Sequence, residues 1–392
     1  MMRPLGLLQA LVFAILFVIL AVFYWDIEAA KWLPEAAPDG FFGLPTGDFA
    51  NLWSAGTLAR HGQLAILYNA DGFTAWKAQQ FGHAVRGDDW IYPPMALALG
   101  ALVSLVPIWV GFALWSIATL AAMAMLLRLA GIGWSVIVLS LACPAELLCL
   151  IYGQYGGIIS CLVFTGLVVA ASRPFTAGIL LGLVTLKPQT GLLVPVVWLA
   201  TRNWRAVLVA GASFTVLAAI SLLWFGAPSW SLFLTHSTRM ASTLVTAKFG
   251  LGYQLTGTSV FWMLRSFGLG IGPAYAGQAI TASLAAMAIY LLWRKPGDRM
   301  VQASLTMFLA LFVAPYGFSV DMVGYSIALA VLARRRCWRV NLLDGLFWLW
   351  PGYAALITDL TGVLLTPLVI AGALLVGWRQ AGHMSSPPDA NA

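Results

Sequence analysis

The sequence predicts an all-α polytopic membrane protein, and three observations carry that prediction. Hydrophobic residues make up 61% of the 392-residue chain and charged residues only 9%, against about a quarter charged in soluble domains. Apolar stretches of about 20 residues, the length a helix needs to cross the hydrocarbon core, recur from end to end. The basic residues fall in short runs between them (Arg202/Arg205, Arg294/Lys295/Arg299, Arg334/Arg335/Arg336/Arg339 and Arg379), as positive charge does in cytoplasmic loops. The net charge of +7 is therefore a topological signal, and nucleic acid is not expected as a partner.

The first span covers Leu5–Tyr24, with Arg3 at its cytoplasmic end. Its apolar run exceeds a usual signal-peptide core and ends in no clear small-residue cleavage site, so a retained helix is expected. A polar loop over 25–92 follows on the outer side and holds eight of the fourteen acidic residues: Asp26, Glu28, Glu35, Asp39, Asp48, Asp71, Asp88 and Asp89. Within it, Asp48–His61 reads as a short amphipathic helix, with Phe49, Leu52, Trp53 and Leu58 at helical spacing and Asp48 placed to be its N-cap. A second short helix is expected over Asp71–Phe81. Both suit the headgroup layer.

After Tyr92-Pro93-Pro94, apolar segments lie near 95–106, 107–127, 134–152, 155–172, 175–186, 189–201 and 206–225. A second outer loop, 226–258, contains His236, Arg239 and Lys248. Further spans lie near 274–293, 301–314, 320–333, 341–358 and 361–378, with a polar tail over 381–392. The whole, residues 1–380, reads as one membrane domain of about eleven to thirteen transmembrane segments. Between 92 and 173, four apolar segments must make an odd number of crossings to satisfy the charge pattern on both sides. One of them is therefore not a full span, and 95–106 and the Pro144-interrupted 134–152 are the candidates.

The four cysteines lack metal or redox spacing, so no structural disulfide is expected. The sequence has no Walker A run and no HExxH, its four histidines are dispersed, and Asp88-Asp89 is not a DxD pair. Neither a metal nor a cofactor is expected.

Ionisable groups at membrane depth are costly and point to function. Asp48 has the chemistry of a general base for an acceptor hydroxyl, or it caps a helix. Tyr92 lines a site or anchors at the interface. In Tyr152-Gly153-Gln154-Tyr155-Gly156-Gly157, glycines let the backbone approach a ligand and the Gln154 amide can bond it, or the stretch is a tight interhelical turn. Lys187, at a Pro-marked helix end with no acidic neighbour in sequence, suits an anionic phosphate, or it snorkels to headgroups. Asp321, after Pro315-Tyr316-Gly317-Phe318-Ser319-Val320, coordinates a polar partner or caps the next helix.

Gly47-Asp48-Phe49, Trp53-Ser54-Ala55-Gly56, Gly62, Leu67-Tyr68 and Tyr92-Pro93-Pro94, in that order, resemble the first-loop signature of glycosyltransferase family 87. Gly153-Gln154, Ala177-Gly178-Ile179-Leu180-Leu181-Gly182 leading to Lys187-Pro188, and Pro315-Tyr316 with Asp321 resemble its later motifs. The resemblance implies a GT-C-type helical bundle with an outward-facing site. It also implies transfer of a hexose, with mannose expected, from a polyprenyl-phosphate donor to a lipid-linked or glycolipid acceptor. Asp48 then corresponds to the proposed catalytic base, and Tyr68, Tyr92, Gln154, Lys187, Tyr316 and Asp321 become the candidates for substrate binding. The mannosyltransferase branch carries a His near Pro315-Tyr316; this chain has Asp321 in that region and no His. The expected setting is a bacterial inner membrane with the site facing the periplasm. Rival readings are a transporter or flippase of lipid-linked sugars, which needs no external base, and a non-catalytic scaffold.

Overall fold

Backbone in hydrocarbon must satisfy its own hydrogen bonds, and this chain does so with helices. The computed structural model describes residues 7–30, 43–45, 47–83 and 89–384. Among these, no strand forms, and an isolated bridge pairs Gly257 with Phe318. Of the first-loop carboxylates, Glu35, Asp39 and Asp88 lie outside the described residues, as does most of the expected tail.

The first helix, α1 (Leu7–Ala30), is followed by α2 (Gly47–Arg60), α3 (Leu64–Leu67) and α4 (Ala70–Phe81) of the first loop. Then come α5 (Pro94–Val103), α6 (Ile108–Leu129), α7 (Trp134–Leu141), α8 (Pro144–Tyr152), α9 (Gly156–Val169) and α10 (Pro174–Leu183). The middle of the chain forms α11 (Val194–Thr201), α12 (Trp204–Phe225), α13 (Ala227–Leu232), α14 (Thr238–Thr246), α15 (Gly252–Leu255) and α16 (Val260–Ser266). It closes with α17 (Ile271–Arg294), α18 (Arg299–Ala310), α19 (Val323–Arg335), α20 (Leu342–Thr361) and α21 (Thr366–Met384).

The polytopic all-α architecture is the one expected, but its segments divide into two kinds. Among the described residues four helices, α1, α6, α12 and α17, are long and apolar enough to cross a membrane alone. Others are short: α5 has 10 residues and α11 has 8. The helices α7 and α8 meet at a bend of 51° at the Pro144 break, because proline cannot donate to the helical ladder. Both segments expected to include the incomplete span are thus short or broken.

The first-loop helices differ from their expectation. Helix α2 is wedged into the protein instead of lying on a surface: Phe49, Ala50, Asn51, Leu52, Ser54 and Ala55 are among its buried residues. It crosses α5 where Gly56 meets Gly100; a Cβ on Gly56 would overlap the Gly100 carbonyl, the small-residue contact that lets helices approach in membranes. Trp53 Nε1 and Arg60 Nη1 donate to the carbonyls of Val106 and Ser104 at 3.0 and 2.6 Å, beyond the end of α5. The helix begins at Gly47, so Asp48 stands in its first turn instead of capping it. There its carboxylate still faces the positive end of the helix. Helix α4 starts one residue earlier than expected, with Asn69 as its cap accepting from Gly72 N at 2.7 Å.

Pro351 interrupts α20 and leaves the carbonyl of Phe347 without its intrahelical donor. The Tyr325 hydroxyl of α19 donates to that oxygen at 2.9 Å. Gln278 of α17 performs the same service elsewhere: its amide donates to Phe312 O at 2.8 Å beyond the end of α18, and accepts from Phe261 N at 3.0 Å. Gly178 and Gly182 of α10 sit directly on α12, against Ala206, Val209, Ala210 and Ser213.

Candidate active site

Helices that stop short bring their polar ends together. The joint between α8 and α9 is the centre of this region. Gly153 has φ +67, a left-handed conformation that glycine adopts without cost. A Cβ on Gly153 would collide with Phe49, and one on Gly156 with the carbonyl of Val320. The joint therefore touches the residue after Asp48 on one side and the residue before Asp321 on the other. Cys149 Sγ donates to the same Val320 carbonyl at 3.2 Å, tying α8 to the turn that carries Asp321.

Lys187 lies between α10 and α11, where Pro188 ends one 3-10 turn and starts the next. The chain cannot continue as one α-helix through that proline, so the side chain of Lys187 turns inward. Its ammonium pairs with Asp321 Oδ1 at 2.6 Å, both side chains being about 95% buried. It donates to Gln154 Oε1 at 3.4 Å and lies 5.8 Å from the centre of the Tyr155 ring. The Gln154 amide and the Tyr92 hydroxyl lie 3.2 Å apart at Nε2 and 3.3 Å at Oε1. Asp321 Oδ2 accepts from Phe318 N at 3.1 Å, so this carboxylate both caps its own turn and holds the lysine. It does not cap the helix that follows, α19, whose N-cap is Met322 with no side-chain bond.

Burial by itself would lower the Lys187 pKa; the Asp321 carboxylate beside it outweighs burial and holds it above the ordinary lysine range. The lysine is thus a fixed cation. Burial raises the Tyr92 pKa, the Lys187 charge opposes this, and Asp48 and Asp321 add to it. Tyr92 is a neutral donor within the field of both carboxylates. Asp48 itself is exposed.

The predicted residues separate on this geometry. Tyr92, Gln154, Lys187 and Asp321 form one hydrogen-bonded group, and the charge of Asp48 reaches Tyr92 and Tyr155. Tyr316 is more than a third exposed and lines a pocket of about 20 Å³ with Asp321, Gln189, Thr190 and Thr258. That volume holds about one water. Tyr68 is buried and packs edge-on against His236 with ring centres 6.2 Å apart. Tyr68 is not part of the Lys187 group.

Three features escaped the sequence reading. Tyr155 is wedged between the rings of Tyr92 and Trp115, at 5.7 and 6.1 Å, and forms the wall beside Lys187. Lys77 of α4 is completely buried and donates to Asn51 Oδ1 at 2.8 Å, one turn of α2 beyond Asp48. Glu146 of α8 is buried against Gly157 on the far side of the joint. A lone acid in an apolar segment was signal enough for Glu146; nothing local marked Lys77, which resembles an ordinary surface lysine.

A family model for glycosyltransferase family 87 matches residues 90–315, more than half of the chain. No curated protein and no solved structure matches it.

Proposed function

Since the chain belongs to glycosyltransferase family 87 and is built as an integral membrane protein, we propose that it transfers a hexose from a polyprenyl-phosphate donor to a lipid-linked or glycolipid acceptor at the outer face of the membrane. Mannose is the first sugar to test. The observation that carries this reading is the buried Lys187 ammonium, held beside Gln154 and Tyr92 at a helix joint.

An ammonium has three N–H donors. Asp321 takes one and Gln154 receives a second over a long contact, which leaves the third for a phosphate oxygen. In the proposed reaction Asp48 removes the proton of the acceptor hydroxyl. The hydroxyl oxygen bonds the anomeric carbon while that carbon's bond to the phosphate oxygen breaks. The electron pair leaves with the polyprenyl phosphate, whose charge Lys187, Gln154 and Tyr92 stabilise. The single displacement inverts the anomeric centre, so a β-linked donor yields an α-linked product. The leaving group is already a phosphate, and the proton of the acceptor hydroxyl ends on Asp48. Because the pocket beside Asp321 admits about one water, the sugar must part Tyr316 from the Asp321 turn or approach from the Asp48 side.

The test supplies purified protein in lipid vesicles with labelled polyprenyl-phosphate mannose and candidate acceptor lipids. Label should pass to an acceptor, and Asp48→Asn should slow transfer by about 10²–10⁴-fold, the usual contribution of a positioned base. Transfer at the wild-type rate by Asp48→Asn removes Asp48 from the role. Movement of the donor across the vesicle with no new glycosidic bond would put a transporter in place of the transferase.

A further inference from the structure

At the other end of the α10–α11 hairpin, roughly 20 Å from Lys187 by helix rise, lies a cavity of about 330 Å³. Pro174 at the start of α10 and Thr201 at the end of α11 both line it. Its polar lining is one-sided. Arg202, Arg205 and Arg299 surround it with Asn203, Trp198 and Trp293, and no acidic side chain is among its lining residues. The nearest acid in sequence, Asp298, is occupied elsewhere: its Oδ2 is 2.6 Å from Arg335 Nη2 and its Oδ1 accepts from Met300 N at 2.8 Å. Arg299 is positioned by Gln302, to whose Oε1 it donates at 2.9 Å, and by the face of Trp293 at 5.3 Å.

Two further features stand at the cavity. Asn203 caps α12, accepting from Ala206 N at 3.3 Å, so the positive end of a 22-residue helix opens at the cavity. Arg202 has φ +53 and ψ +35, a backbone region where glycine would be unstrained and arginine is not. Around the cavity the outer faces of the same helices expose Phe175, Leu199, Trp204 and Leu208, which suit acyl chains rather than water.

We propose that this cavity binds the phosphate headgroup of an anionic phospholipid, with Arg202, Arg205 and Arg299 as its cationic contacts. Basic pockets between membrane helices recognise such headgroups by the same chemistry. The site is separate from the Lys187 group and does not depend on the donor assigned to it.

Full-length protein, stripped of lipid in detergent, is titrated with phosphatidylglycerol, phosphatidylcholine or inorganic phosphate, and bound lipid is counted by native mass spectrometry. Wild type should hold phosphatidylglycerol in preference to phosphatidylcholine. Arg202→Gly and Arg205→Gln should each weaken it about five-fold, the share of one basic side chain at an anionic headgroup. Arg202→Gly relieves backbone strain while removing a charge, so its fold should persist while its binding falls. Arg334→Gln, in the separate basic cluster, should bind as wild type does. Equal binding of the two lipids, wild-type binding by Arg202→Gly, or equal loss in Arg334→Gln would overturn the site. Displacement of phosphatidylglycerol by inorganic phosphate that then occupies the same arginines would overturn the assignment to lipid.

Discussion

Positive charge stands at both ends of the α10–α11 hairpin, and the two ends treat it in opposite ways. At one end Lys187 is buried and matched by Asp321 at 2.6 Å. At the other, Arg202 and Arg205 are exposed at the rim of a cavity with no acid in its lining. A buried cation needs a resident partner because desolvation is too costly without one. A rim arginine keeps its water and can wait for a ligand. The first arrangement makes a preorganised site and the second an open one, so loss of charge should have very different consequences at the two ends.

The largest effect is expected from Lys187→Met, which strands Asp321 in the interior. Stability should fall by about 3–5 kcal/mol, as when one member of a buried pair is removed. Adding Asp321→Leu should restore most of that stability while transfer stays lost. Thermal unfolding in detergent read beside activity separates the two; a single mutant as stable as wild type would end the claim of a buried pair. Gly153→Ala comes next. A side chain at φ +67 that also meets Phe49 should cost about 1–3 kcal/mol and misplace both Asp48 and Gln154. Its transfer rate should fall in a protein that still unfolds cooperatively.

The pH dependence of the matched end follows from its sign. A lysine whose pKa is raised on folding contributes stability fully present below the ordinary lysine pKa, and loses it only as pH rises through the higher folded value. The stability gap between wild type and the double mutant Lys187→Met/Asp321→Leu, which leaves no stranded carboxylate, should therefore be flat from neutral pH to about pH 9, below the ordinary lysine value of about 10.4. A gap that shrinks within that range would show the pair to be solvated. The smallest effect belongs to the open end: Arg205→Gln should change unfolding by less than about 0.5 kcal/mol, since it leaves no buried charge unpaired. A loss as large as that of Lys187→Met would erase the contrast between the ends.

Much of this was legible in the chain because polar residues stand out against so apolar a background. Asp48, Tyr92, Gln154, Lys187 and Asp321 could be picked out one by one. What each would do with the others could not, since Lys187 and Asp321 are 134 positions apart in the sequence and only packing brings them into contact. Tyr68 was picked out by motif yet belongs to a contact with His236. Nothing in the sequence marks Lys77, because a lysine on a short loop helix is normally solvated, and its burial against Asn51 depends on α4 docking onto α2. Helix α2 misled for the same reason: its apolar spacing fits a headgroup surface as well as a protein groove, and the Gly56–Gly100 contact chose the groove.

The sequence by itself determined the solvent, the helical class and the places where helices must stop. These follow from apolar length, from the backbone's need to bond itself in hydrocarbon, and from proline and glycine acting on their own neighbours. Tertiary structure alone decided which stops face one another. A charge deep in the protein is stable only beside its opposite, and that partner is selected by helix packing across the whole chain. Hence the joint at Gly153–Gln154 gathers Lys187 and Asp321 into one matched group, while the far end of the same hairpin leaves its arginines open.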